Sequence, residues 1–269
     1  TVVGKSVEFV KNTGNKLQAT VQVSLIFKKN GIITDFKKID LLSPEVDDTS
    51  KIDFTFMDQQ RFLLPDGDYN GEIQLQDKNK KDAVPYKTTE SLTISFPADK
   101  VNISGIEFVE SYKRTETINI LSKNGYDLVP LSINFFPQSL NALTFYSEIY
   151  NTNKVFTASD KFVLKYFIEA YETGKTLSDF SKFRVETAKP VIVVIDEFDI
   201  TNLPSGNYNL VVELRDKDNN RTSFNKVFFQ RSNPSAEFNI ADISTLDVSG
   251  SFVNAYTNID TLKDYVKSV

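Results

Sequence analysis

The chain contains no cysteine, no histidine and no tryptophan, and a single methionine among 269 residues. Without cysteine there is no disulfide, no thiolate metal site and no thiol nucleophile. Without histidine it also lacks the usual general base near neutral pH and the commonest ligand for transition metals. Serine–histidine, cysteine–histidine and most zinc chemistries are thereby excluded together. What remains for catalysis is carboxylate, lysine or tyrosine chemistry, and the composition points away from an enzyme. No cofactor is implied. Glycine (10) and proline (9) are too sparse for a collagen-like or low-complexity chain. No apolar run approaches the roughly 20 residues that span a bilayer as a helix. The opening "TVVGKSVEFV" lacks the basic-then-apolar build of a signal peptide.

Present instead are 22 Phe and 11 Tyr, with many Val, Ile and Thr, a set that favours strands. The formal charge of −5 is spread along the chain, so it does not attract phosphate backbones, and nucleic acid is not an expected partner. In "LQATVQVSLIF" (17–27) apolar and polar residues alternate with the period of a half-buried strand. "IITDFKKIDLL", "KIDFTFMD" (51–58) and "ESLTISF" (90–96) read as further strands, and "PADKVN" (97–102) as a linker. A second series follows: "ISGIEFVESY", "YDLVPLSINFFP", "NALTFYSEIYN", "KFVLKYFIEAY", "PVIVVIDEFDI" and "RTSFNKVFFQR". Short strands with turns every ten or so residues suggest β-sandwiches.

One phrase is written twice. "LPDGDYNGEIQLQD" (64–77) returns as "LPSGNYNLVVELRD" (203–216), 139 positions later. In each copy Pro leads into a Gly-containing turn, Tyr follows two residues after the Gly, and Asp opens a hairpin. This is the pattern of a tyrosine corner, in which a Tyr hydroxyl bonds nearby backbone. Pro65, Gly67 and Tyr69 form the first expected corner; Pro204, Gly206 and Tyr208 form the second. Pro presets φ and Gly permits a positive φ. Gly71 and Leu210 stand where antibody domains carry a cysteine, so the disulfide variant is excluded. The expected fold is all-β: two tandem immunoglobulin/fibronectin-type-III-like sandwiches, residues 1–98 and 99–234. Residues 235–269 follow as a loop and a short amphipathic C-terminal helix. Ile259, Leu262, Tyr265, Val266 and Val269 share one face of that helix, and the stripe is expected to open a further, helical domain.

Four clusters are candidates for chemistry. "DKDNN" (216–220) begins like a calcium loop, but Arg221 and Val227 stand where Gly and Glu are required, leaving a hairpin turn. "IDEFDI" (195–200) and "PEVDD" (44–48) gather carboxylates that read as a solvated strand end and a charged loop. In "FYSEIY" (145–150) alternation puts Tyr146, Glu148 and Tyr150 on one face. Tyr146 and Tyr150 are therefore a candidate interaction surface for a protein or glycan. No metal site is expected.

The paired "LP-x-G-x-Y-N" strands, "ISGIEFVESY", and "FFQRSNP" leading into a helical start resemble the β-rich region of Bacteroidota GWxTD-domain envelope proteins. The GWxTD motif itself is absent. The resemblance implies an exported, non-catalytic protein of the periplasm or outer-membrane surface that contacts other envelope proteins, and it is compatible with a lipid anchor in the full-length form. The reading from residues agrees on a binding or scaffold module. Its alternative is a carbohydrate-binding accessory module or a carboxylate-dependent glycan-active protein, motivated by the tyrosines and acidic clusters.

Overall fold

The computed structural model describes residues 1–82 and 84–236. The expected C-terminal helix lies outside them. The protein is all-β, and its chain divides into two compact units: Thr1–Pro97 with Glu116–Ser122, and Ala98–Thr115 with the chain from Lys123 onward.

The first unit contains β1 (Val2–Val3), β2 (Val10–Lys11), β3 (Leu17–Gln18), β4 (Thr20–Lys29), β5 (Ile32–Leu42), β6 (Thr55–Phe56), β7 (Gly67–Asp77) and β8 (Tyr86–Ile94). Four of them form one antiparallel sheet in the order β5-β4-β7-β8. Asn30 and Gly31, with φ of 52° and 80°, turn β4 into β5, as an Asn-Gly hairpin requires. The sheet's inner face carries Val21, Val23 and Leu75, and Phe54, Phe56, Val2, Val7 and Phe9 pack over it. That covering layer is mostly irregular, with only the short β1–β6 and β2–β3 ladders. "KIDFTFMD" accordingly contributes two strand residues rather than a full strand. Its alternating Phe54 and Phe56 pack onto the sheet, and only Thr55 and Phe56 pair, with Val3 and Val2 of β1.

The second unit contains β9 (Asn102–Ile103), β10 (Glu107–Arg114), β11 (Ser122–Lys123), β12 (Tyr126–Pro130), β13 (Phe135–Phe136), β14 (Ala142–Tyr150), β15 (Lys161–Ala170), β16 (Thr176–Thr187), β17 (Val191–Asp199), β18 (Gly206–Arg215) and β19 (Arg221–Arg231). One sheet runs β11-β12-β10-β14-β17, with β9 also on β14; the other runs β13-β19-β18-β15-β16. They enclose a single core. Leu143, Phe145 and Ile149 of β14 and Ile192, Val194 and Phe198 of β17 face Phe162, Leu164 and Ile168 of β15, with Leu210, Val212 and Leu214 of β18. Edge-to-face contacts among Phe108, Phe136 and Phe229 close one end. Such aromatic pairs add roughly 0.5–1.5 kcal/mol each beyond their area.

The long strand missed by sequence reading is β16. Between the pairs Phe167↔Ser181 and Glu169↔Thr176 its ladder slips, so several residues bulge against one. Leu177, Phe180 and Phe183 therefore fall three apart, and period two is lost.

Candidate functional site

Both expected corners are built. Tyr69 donates its hydroxyl hydrogen to the Pro65 carbonyl at 2.7 Å, and Tyr208 donates to the Pro204 carbonyl at 3.0 Å. Both rings are buried. Burial, followed by the Glu172 carboxylate, pushes the Tyr208 phenol up to about 12. The two glycines serve different needs. Gly67 sits at φ +149°, and a Cβ there would collide with the Lys29 side chain, whose ammonium lies over the Tyr69 ring. Gly206 is not in the positive-φ region that the sequence reading assigned to it. A Cβ at Gly206 would meet the Tyr208 ring and hydroxyl at 3.1–3.3 Å, so close approach is its constraint.

The duplicated phrase specifies more than a tyrosine. The residue after the proline accepts a backbone N–H from just beyond the last strand: Asp66 from Phe96 at 3.0 Å, Ser205 from Asn233 at 2.7 Å. The closing aspartates likewise act alike, Asp77 accepting from the Asn79 amide and Asp216 from the Asp218 amide, each at 2.9 Å. Asp216 also accepts from the Asn220 amide, so "DKDNN" is a hairpin turn held by its own backbone. In the second unit Asn233 additionally donates to the Thr201 and Leu203 carbonyls. The buried Arg231 holds the Pro137 and Leu140 carbonyls.

Tyr146 is not on an open surface. Alternation along β14 is as read, with Phe145, Ser147 and Ile149 inward, but the opposite face is covered as well. Tyr146 is 1% exposed and Glu148 3%. Asn124 and Gly125, at φ of 48° and 84°, turn β11 into β12. Asn124 then donates to Glu148 Oε1 at 2.7 Å and to the Tyr146 hydroxyl at 3.1 Å. Tyr146 donates to the same Glu148 oxygen at 2.5 Å. Lys123 approaches it at 3.3 Å and lies over the Tyr146 ring. Tyr146 also packs with Val109 and Leu128 in a small second core. Burial above all, then the Glu148 carboxylate, drives the Tyr146 phenol well above its ordinary value. Tyr150, at the end of β14, is half-buried and pairs with Val191 and Asn102. The two tyrosines thus form no joint exposed platform.

The acidic clusters are also tied in. Asp196 is not solvated at a strand end: it lies between the sheets, where Tyr166 donates to one of its oxygens and Lys182 to the other at 2.8 Å. Burial opposes ionisation of Asp196, but the bonds from Lys182 and Tyr166 outweigh it and hold its carboxyl below the usual range. Glu197 points the other way and accepts from Thr144 at 2.8 Å. In the 44–48 loop Glu45 accepts from Asn12, Asp47 pairs with Lys16, and Asp48 caps the turn at Ser50. Among the described residues no group of three or more acidic side chains is placed to hold a metal, and no helix is long and apolar enough to cross a membrane.

The outer face of the second unit's β16-β15-β18-β19 sheet mixes apolar and charged residues. Across β16, β15, β18 and β19, Phe183, Lys165, Glu213 and Phe224 form one row, and Ser181, Phe167, Val211 and Lys226 form the next. Phe183 is 73% exposed, with Val185 and Phe224 also exposed. Compared with known proteins, the chain matches no protein-family model and no curated sequence.

Proposed function

We propose that this chain is a non-catalytic binding or scaffold module of an exported cell-envelope protein, and that its partners are other envelope proteins. One observation carries the reading. Phe183, Val185 and Phe224 stand on the outer face of a sheet whose inner face already has its core. Phe183 and Val185 are neighbours on β16, and exposed apolar side chains grouped in this way mark interaction sites. Two further facts support it. The carboxylates best placed for chemistry, Glu148 and Asp196, are each engaged by tyrosine, lysine or amide partners inside the fold. The GWxTD-like sequence phrases supply the envelope setting. The carbohydrate alternative loses its motivation, because Tyr146 is enclosed and the tyrosine–glutamate face is not a stacking platform.

The test is capture from native envelope fractions by the intact chain and by Phe183→Asp and Phe224→Asp. The module reading expects a partner retained by the intact chain and lost by either variant. An intact chain that stays monomeric and captures nothing, or capture indifferent to both changes, contradicts it.

A further inference from the structure

Every open sheet has edges, and each unpaired edge is a template for another strand. The edges of this protein are treated unequally. On β5 the Phe36 amide is taken by the Asp35 carboxylate at 2.8 Å, on β17 the Glu197 amide by Asp196 at 2.7 Å, and on β19 the Lys226 amide by Asn225 at 2.8 Å. In each case the preceding side chain folds back on the backbone and interrupts any incoming ladder. On β17 the carbonyls of Val193 and Glu197 are also filled, by Arg184 and Lys182 of β16. Those two long side chains bridge the β16–β17 border of the second unit. β11 and β13 are only two residues long.

β8 has no such device. Its nine residues pair with β7 on one side, and among the described residues nothing caps the other. It contains no proline and three threonines, which suit strand pairing. A cleft of about 520 Å³ adjoins its first turn of chain. Val2, Val7, Val21 and Leu75 line the floor, and Val84 and Tyr86 form a wall that is 89% and 63% exposed.

We infer that β8 is a strand-acceptor edge, which takes an extended segment of a partner polypeptide as a fifth strand of the first sheet. Alternating backbone donors and acceptors can be matched only by another extended chain, and the cleft receives an apolar side chain from it. The register defines the partner's chemistry. Tyr86 and Glu90 lie on the same face, opposite Leu75 and Gly71 of β7. The incoming strand therefore carries an apolar residue at the Tyr86 end and a lysine or arginine four positions away, facing Glu90. A second copy of this chain does not fit. The twofold register that overlaps all of Tyr86–Ile94 centres on Glu90 and sets two carboxylates directly opposite each other, which is destabilising.

This inference deepens the module reading but uses a different surface, so the two fail separately. The probe is a fluorescein-labelled nonapeptide, Val-Thr-Val-Thr-Arg-Thr-Val-Thr-Leu, titrated with the full chain and followed by anisotropy. The intact chain is expected to bind it, and to bind the same peptide with glutamate in place of arginine at least tenfold more weakly. Glu90→Lys, a change at an exposed position, is expected to reverse that preference. Methylating alternate backbone nitrogens of the peptide abolishes binding, as does replacing its leucine with aspartate. No binding of the arginine peptide, or binding indifferent to Glu90→Lys and to N-methylation, overturns the proposal. If that happens while capture through Phe183 persists, the edge assignment falls and the module reading stands.

Discussion

Ser205 accepts the backbone N–H of Asn233 at 2.7 Å, fastening the segment that leaves the last strand to the turn that begins the one before it. Asp66 and Phe96 repeat the arrangement at 3.0 Å in the first unit. Serine and aspartate differ in charge but share an oxygen at hydrogen-bonding reach, which is why that letter of the repeat varies while its role persists. Ser205→Ala leaves the Asn233 amide without its acceptor and is expected to cost about 1–2 kcal/mol in urea unfolding. Asp66→Ser, which keeps an oxygen, should cost clearly less than Asp66→Ala.

Alkaline stability reports on the second corner. The Tyr208 phenol titrates near 10 when unfolded and about 12 when folded. A group whose folded value is raised gives stability that is complete below the unfolded value and is lost as pH rises through the folded one. The urea midpoint is therefore expected to fall between about pH 10 and 12, and to fall less steeply in Tyr208→Phe. Equal slopes in the two proteins would contradict this.

Acid stability reports on the inter-sheet bridge. Asp196 has its folded value depressed, so its contribution is present above the ordinary aspartate range and is lost as pH falls through the lowered value. Asp196→Asn should be less stable than the parent at pH 7, and the gap should narrow as the solution is acidified below about pH 4. A gap that is constant with pH would show that the bridge carries no charge.

Glu148 tests whether a buried carboxylate is a structural latch. Removing it leaves Lys123, Asn124 and the Tyr146 hydroxyl without their shared acceptor. Glu148→Ala is expected to cost about 1–3 kcal/mol for each buried donor it leaves unpaired, Lys123 being exposed enough to be hydrated. Tyr146→Phe should cost about 1 kcal/mol, and the double variant less than the sum.

The strands that sequence reading found best are those bounded by turn residues: β7, β18 and β19 begin and end close to their quoted phrases. Tyr69 and Tyr208 were legible because a corner needs its proline, glycine and tyrosine at fixed spacing. β16 was not, because a bulge breaks its period. Tyr146 was misplaced for another reason. Alternation gives the face a residue occupies but not what covers that face, and here the covering comes from Lys123 and Asn124, more than twenty residues upstream. The free edge at β8 was also invisible, since its openness is a comparison with Asp35, Asp196 and Asn225, whose capping role appears only in three dimensions.

Hydrogen exchange on Tyr69→Phe and Tyr208→Phe, followed strand by strand, tests most directly whether each unit is braced by its own corner. The account predicts lost protection in β7 and β8 for the first variant and in β18 and β19 for the second, with the other unit unchanged. Loss shared equally by both units in either variant, or no loss in both, would contradict it.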